Sequence, residues 1–333
     1  MLKRLPKNTP PPEVPNLFSN PLDSIGLWIK ISIIAVVAIY TRAQPTHPTW
    51  AVIMILWAAL ILVPIGLEET RKRQEVQIFS EYAVVFEFLF AVMLGVSFCL
   101  DKDNSSGIWA SGYVLFCANY ALSQFFQFIK TLLKKGKRNW NDILLALSFF
   151  ISWGFLANAS LWLVFDRLGY TPLNFSPWIV LLTGAHFHYA GFALMMSLTL
   201  LLADKPTGTR TKFAIAAVII GVVCTAFGIM ATQLGWNPFL ETFAGVIISS
   251  AGFFSGLVFF SESFLQKQKA VAWLWRIGGL CLMCGMILAG LYALRTVFSV
   301  PFLNLGFMQA VHGTLNALGF GTLMLIGWCL KEK

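Results

Sequence analysis

The chain has 333 residues, of which 57% are apolar and only 12% charged, about half the share of roughly 25% usual in soluble domains. Too few charges exist to coat a soluble globule of this size, and the apolar residues fall in runs near the ~20 that a helix needs to cross a bilayer. The net charge of +9 lies between these runs instead of on one folded surface, which argues against nucleic acid as a partner.

Lipid offers the backbone no hydrogen-bond partners, so the runs must be helices. A barrel would show short alternating segments, and these are absent. The predicted fold is therefore all-α, a polytopic transmembrane bundle of about ten spans, at about 25–41, 49–67, 79–100, 107–130, 142–165, 176–203, 213–233, 238–262, 271–297 and 305–330.

Residues 1–24 form a proline-rich tail containing Pro10, Pro11, Pro12, Pro15 and Pro21. No small-residue cleavage site follows the first apolar run, so that run is expected to stay as a signal anchor. Lys30 interrupts it near its inner end, from where its stem can snorkel to the headgroups. Residues 25–330 form a single membrane domain, and 331–333 a cytoplasmic end. The charged stretch from Leu67 to Phe79 reads as a solvated connector. Trp50, Trp109, Trp140, Trp178 and Trp328 fall near span ends, as an aromatic belt requires.

The basic residues alternate along the chain. One set of tails and loops holds Lys3, Arg4 and Lys7, then Arg71, Lys72 and Arg73, then Lys130, Lys134, Lys135, Lys137 and Arg138. It continues with Lys205, Arg210 and Lys212, then Lys267 and Lys269, and ends with Lys331 and Lys333. The other set of loops holds only Arg42, Lys102 and Arg167. By the positive-inside rule the rich set is cytoplasmic, which puts both termini inside. Loops are short, so function must sit mostly within the bundle.

Ionisable and strongly polar groups at membrane depth are expensive, which makes each a functional candidate. Glu87 lies in the third span, Asn119 in the fourth and Asn158 in the fifth. Glu87 can carry protons or stay neutral and hydrogen-bonded; Asn158 falls near the depth of the histidines. Asp166, Glu241 and Glu262 lie at span ends and read as interfacial.

Of the four histidines, His47 reads as an ordinary loop residue. His186 and His188 lie in the sixth span within Thr183-Gly184-Ala185-His186-Phe187-His188-Tyr189-Ala190-Gly191-Phe192, and His312 lies in the tenth. All three fall roughly 10–15 Å below the outer boundary by helix rise. They can share a site if the two spans touch. Residues i and i+2 point about 200° apart on a regular helix, so His186 and His188 face nearly opposite ways unless the helix is distorted there. Gln309, His312 and Asn316 are spaced i, i+3, i+7, which predicts one polar face. Cys281 and Cys284 form a C-x-x-C inside an apolar helix, where packing is the expected role.

The run Thr183–Phe192, paired with His312-Gly313-Thr314-Leu315-Asn316-Ala317-Leu318-Gly319-Phe320 and then Gly327-Trp328, resembles the YndJ-like family of bacterial integral membrane proteins. These segments cover about a tenth of the chain. The resemblance implies a protein of the bacterial cytoplasmic membrane, a transporter-like role and a paired role for the two segments.

Three readings of function follow. In the first, a small or amphipathic solute, or protons, bind a site lined by His186, His188, His312, Gln309, Asn316 and Asn158, with Glu87 relaying protons. Imidazole suits such coupling because its unperturbed pKa is near ~6.5. In the second, the same histidines hold a transition metal or haem in a membrane enzyme or redox protein. In the third, the polar stripe is only glue in a non-catalytic assembly or immunity partner. No internal repeat is visible. Membrane lipids are partners in every reading.

Overall fold

The computed structural model describes residues 24–42, 49–74, 82–134, 139–296, 298 and 302–331. His47, residues 1–23 and the last two residues lie outside the described residues. Among the described residues ten long helices run in chain order: α1 Ser24–Arg42, α2 Thr49–Arg73, α3 Ala83–Phe98, α4 Asn104–Leu132, α5 Trp140–Arg167, α6 Pro177–Asp204, α7 Thr209–Gln233, α8 Phe239–Ser263, α9 Lys269–Ala293 and α10 Leu305–Leu330. No strand occurs among the described residues. Each helix coincides with one predicted span.

Eight of the ten are long and apolar enough to cross a membrane. The exceptions have simple causes. α3 has 16 residues, about 24 Å of helix. α4 is long but carries Tyr113, Asn119, Tyr120, Gln124 and Gln127 along its length.

Local sequence sets the helix ends. Asp103 caps α4 by accepting from Ser106 N at 2.9 Å, and Asn304 caps α10 by accepting from Phe307 N at 2.9 Å. Ser176 caps α6, with Pro177 in its first turn, where the missing N–H costs nothing. α5 and α7 end on Gly169 (φ +68°) and Gly235 (φ +77°). Both adopt the left-handed turn that closes a helix C-terminus and that glycine enters without strain.

Consecutive helices pack side by side through most of the chain, and α10 then returns to lie against α2, α6 and α9. α2 is the most enclosed of the eight apolar spans. Of its most apolar stretch, 83% is buried, against 28% for α1 and α7. It is the hub because both halves of the site hang from it. Tyr189 of α6 donates its hydroxyl to the Met54 carbonyl at 2.7 Å, and Trp57 donates its indole N–H to Thr322 of α10 at 2.9 Å. A methyl on Gly313 would stand 2.6 Å from the Trp50 ring, so α10 approaches α2 this closely only with glycine there.

The three central spans share a backbone irregularity. α2 is π-helical over Ala58–Leu62, α6 over Phe187–Ala193, and α10 over Met308–Gly313 and Leu315–Thr322. Such turns are rare and concentrate at functional sites.

Four sequence expectations need correction. The stretch after Leu67 is not a connector at its start: α2 continues to Arg73, with Glu69 and Thr70 buried. Glu69 takes Lys72 and Arg73 as ion-pair partners one turn on. Lys30 does not snorkel; it is 5% exposed and within electrostatic reach of Glu87 on α3. Trp328 is not a belt residue. It is buried against Trp275, ring centroids 4.6 Å apart. Asp166 is not interfacial. It is buried beside a fully buried Arg167, which donates to it from Nε at 2.9 Å and from Nη2 at 2.7 Å, while Lys102 closes the cluster at 2.6 Å. Glu241 and Glu262 do lie at span ends, paired with Arg295 and Lys205.

Candidate functional site

The sixth and tenth spans meet. The π-helical segments of α6 and α10 pack on one another, and a methyl on Gly321 would fall 2.9 Å from Tyr189 Cδ1 and 3.4 Å from Ala193 Cβ. The two histidines of α6 do face different surroundings, as the i, i+2 geometry requires.

His188 is fully buried. Its Nδ1 lies 2.7 Å from the Gly184 carbonyl, one turn back on the same helix. A carbonyl only accepts, so Nδ1 carries the proton and Nε2 is the acceptor of the neutral ring. The Tyr113 hydroxyl, 3.2 Å from Nε2, is therefore the donor. The two rings lie within 4° of parallel. Tyr113 belongs to α4, so this bond ties α6 to α4 at histidine depth. Beyond Tyr113 stands the Cys117 thiol, which also faces Ser160 of α5.

His186 is different. It is an exposed residue of α6 and lies within electrostatic reach of His312.

His312 donates from Nδ1 to the Gly285 carbonyl of α9 at 2.8 Å. Its Nε2 is then left as acceptor for the Asn316 amide at 3.1 Å. Asn316 is seated on Gly285, where a methyl would stand 2.8 Å from its Oδ1. That Oδ1 is buried with no partner.

The predicted stripe on α10 is only partly assembled. His312 and Asn316 meet, but Gln309 is half-buried and bonds to neither. A turn closed by i→i+5 bonds holds more residues than the 3.6 of an α-helix, so an i, i+3, i+7 pattern winds off one face. Asn158 is half-buried on α5 and shares no hydrogen bond with the histidines. Asn119 is exposed on the outer face of α4.

Glu87 is fully buried on α3, and neither carboxyl oxygen has a hydrogen-bond partner. Lys30 of α1 is the cation that acts on it, from beyond salt-bridge distance. Tyr113, Cys117 and Tyr120 of α4 also lie within electrostatic reach of it. Four participants were not singled out in the sequence: Tyr113, Cys117, Gly285 and Lys30 as the partner of Glu87.

The donor set does not fit a metal held by all three histidines. Among the described residues no three His, Cys, Asp or Glu side chains lie close enough to share an ion. Both ring nitrogens of His188 and of His312 are already hydrogen-bonded, and axial haem ligation needs one of them free. Cys281 packs against Gly319, 2.6 Å from a methyl placed there, while Cys284 is exposed on α9. An open apolar groove of about 660 Å³ between α1 and α3, lined by Trp28, Val36, Val92 and Cys99 among others, does not reach the histidines.

Residues 53–320 match the family described as YndJ-like protein. The chain belongs to the YndJ-like family. The match includes Glu87, Asn158, His186, His188, Gln309, His312 and Asn316. A Bacillus subtilis (strain 168) protein, described as an uncharacterized membrane protein YndJ, is 24% identical over 178 residues. That stretch covers 54% of this chain and 32% of the relative, so the chain spans about a third of the length of the curated protein it matches. No solved structure matches.

Proposed function

We propose that this YndJ-like chain is a proton-dependent carrier of a small uncharged or weakly amphipathic solute across the bacterial cytoplasmic membrane, with both termini inside. The observation that carries the reading is the splitting of α6. His186 is exposed and within electrostatic reach of His312, while His188, two residues on, is buried and hydrogen-bonded to Tyr113. One helix thus presents an imidazole to each of two polar regions, and its π-helical turn, Phe187–Ala193, begins between the two and contains His188.

The solute region is formed by His186, His312 and Asn316, with Gln309 and Asn158 at its margin. It offers neutral donors and acceptors but no fixed charge, which favours an uncharged ligand. The proton region is formed by His188, Tyr113 and Glu87. A proton gained at His188 changes the charge on α6 and so the packing of its π-helical turn, which is the coupling element of this reading.

The test uses the full chain in proteoliposomes on a solid-supported membrane. A panel of small amines, polyols, amides and short-chain amphipaths is applied with and without a pH gradient. The expected result is a saturable, gradient-dependent current for at least one class, lost in His312→Ala and uncoupled from pH in His188→Gln. If His186, His188 and His312 all become alanine in a folded protein without change in any current, the reading is wrong.

A further inference from the structure

One face of α4 is polar where the bundle around it is apolar. Tyr113, Cys117, Tyr120 and Gln124 follow at intervals of four, three and four, which keeps side chains on one side of a helix. None is more than 3% exposed. Yet the Tyr120 hydroxyl and both amide atoms of Gln124 have no partner in the protein, and neither do the two oxygens of Glu87. Buried polar atoms are satisfied in the great majority of cases, and a run of five without protein partners is a strong sign of a hydrated site.

The run is also directional. By helix rise from Asn104, Tyr113 lies about 14 Å and Gln124 about 30 Å along α4, from the depth of His188 to the opposite boundary. Glu87 lies within electrostatic reach of Tyr113, Cys117 and Tyr120, and of Lys30 on α1. Tyr120 is in turn within reach of Arg71 at the end of α2. Its ring packs 4.8 Å from that of Trp153, which bonds Thr70 of the same α2 turn at 3.3 Å. The polar face therefore ends among the basic residues that the positive-inside rule places in the cytoplasm.

We infer that this face of α4 lines a narrow hydrated path carrying protons from the inner surface, past Gln124 and Tyr120, to Glu87 and through Tyr113 to His188. It deepens the carrier reading by naming its proton route, and rests on it. Gln124 orients water and does not itself exchange a proton. At the far end Tyr113 passes its hydroxyl proton to His188 Nε2 and regains one from the chain of water on its other side. His188 keeps its Nδ1 proton on the Gly184 carbonyl and becomes an imidazolium. Lys30, Tyr113, Cys117 and Tyr120 are the titratable groups facing Glu87.

The test places single cysteines in a full-length chain whose six native cysteines are replaced by serine or alanine. Gln124→Cys is compared with Phe126→Cys, which sits two residues on and is 57% exposed on the outer side of α4. The probe is a membrane-impermeant trimethylammonium methanethiosulfonate, applied to inside-out and right-side-out vesicles. Thiolate forms readily only in water, so Gln124→Cys is expected to react at least about tenfold faster than Phe126→Cys, and only from the cytoplasmic side. Equal inertness at both positions, or access to 124 only from outside, overturns the path.

A second measurement keeps the native cysteines. The infrared band of the Glu87 carboxyl, assigned by its loss in Glu87→Gln, is followed after a switch to deuterated water. Gln124→Leu is expected to slow its exchange; an unchanged rate overturns the route. Solute currents are measured separately, so a failed carrier and a failed path give different results.

Discussion

Removing one hydroxyl, in Tyr113→Phe, isolates the bond that joins α4 to α6. The structure sets its magnitude. At 3.2 Å the contact is longer than the ~2.7–2.8 Å usual for hydroxyl donors, so the bond itself is weak, near the ~0.6 kcal/mol average for bonds between membrane helices. The larger effect is on His188, which is 0% exposed and whose Nε2 loses its donor. Leaving a buried acceptor unmet costs about 1–3 kcal/mol. The expected loss is therefore ~1–2 kcal/mol, a factor of about 5–30 in the folded-to-unfolded ratio. The assay is reversible unfolding in lipid or detergent, with Tyr40→Phe, at an exposed tyrosine, as the control. A double-mutant cycle with His188→Leu should show coupling above ~0.5 kcal/mol. The reasoning is refuted if Tyr113→Phe is no less stable than Tyr40→Phe and the cycle shows no coupling.

Gly285→Ala puts a methyl where Asn316 Oδ1 sits, 2.8 Å away. It is expected to push Asn316 off His312 and weaken solute-evoked currents more than it lowers stability; unchanged currents would show that this contact is only packing. Asp166→Asn leaves the fully buried Arg167 short of its counter-charge and is expected to cost ~3–5 kcal/mol, read as lost expression or a large fall in thermal stability. Lys102→Met, at a side chain about a third exposed, should cost no more than ~1 kcal/mol. Equal effects from the two changes would contradict the assignment of the buried pair.

All ten helices were legible in the sequence, and eight of them meet the length and composition that lipid imposes on a span. What lay beyond that reading depended on how helices turn. Lys30 looked like a surface-seeking lysine, since nothing local told that Glu87 stands opposite it on another span. Trp328 looked interfacial from its position alone, and its stacking on Trp275 needed the return of α10 to α9. The opposed directions of His186 and His188 followed from helical geometry and hold. The stripe through Gln309 did not assemble, because its spacing presumed an α-helix where the chain adopts wider turns. Tyr113 was overlooked although the signal existed: Tyr113, Cys117, Tyr120 and Gln124 repeat at four, three and four residues.

The most direct test of the account is the pH dependence of solute-evoked current in the wild-type chain and in Glu87→Gln and His188→Gln. The account predicts that wild-type currents grow with an imposed proton gradient. In both variants solute binding should survive while that dependence is lost. Currents that respond to the gradient identically in all three proteins would contradict it.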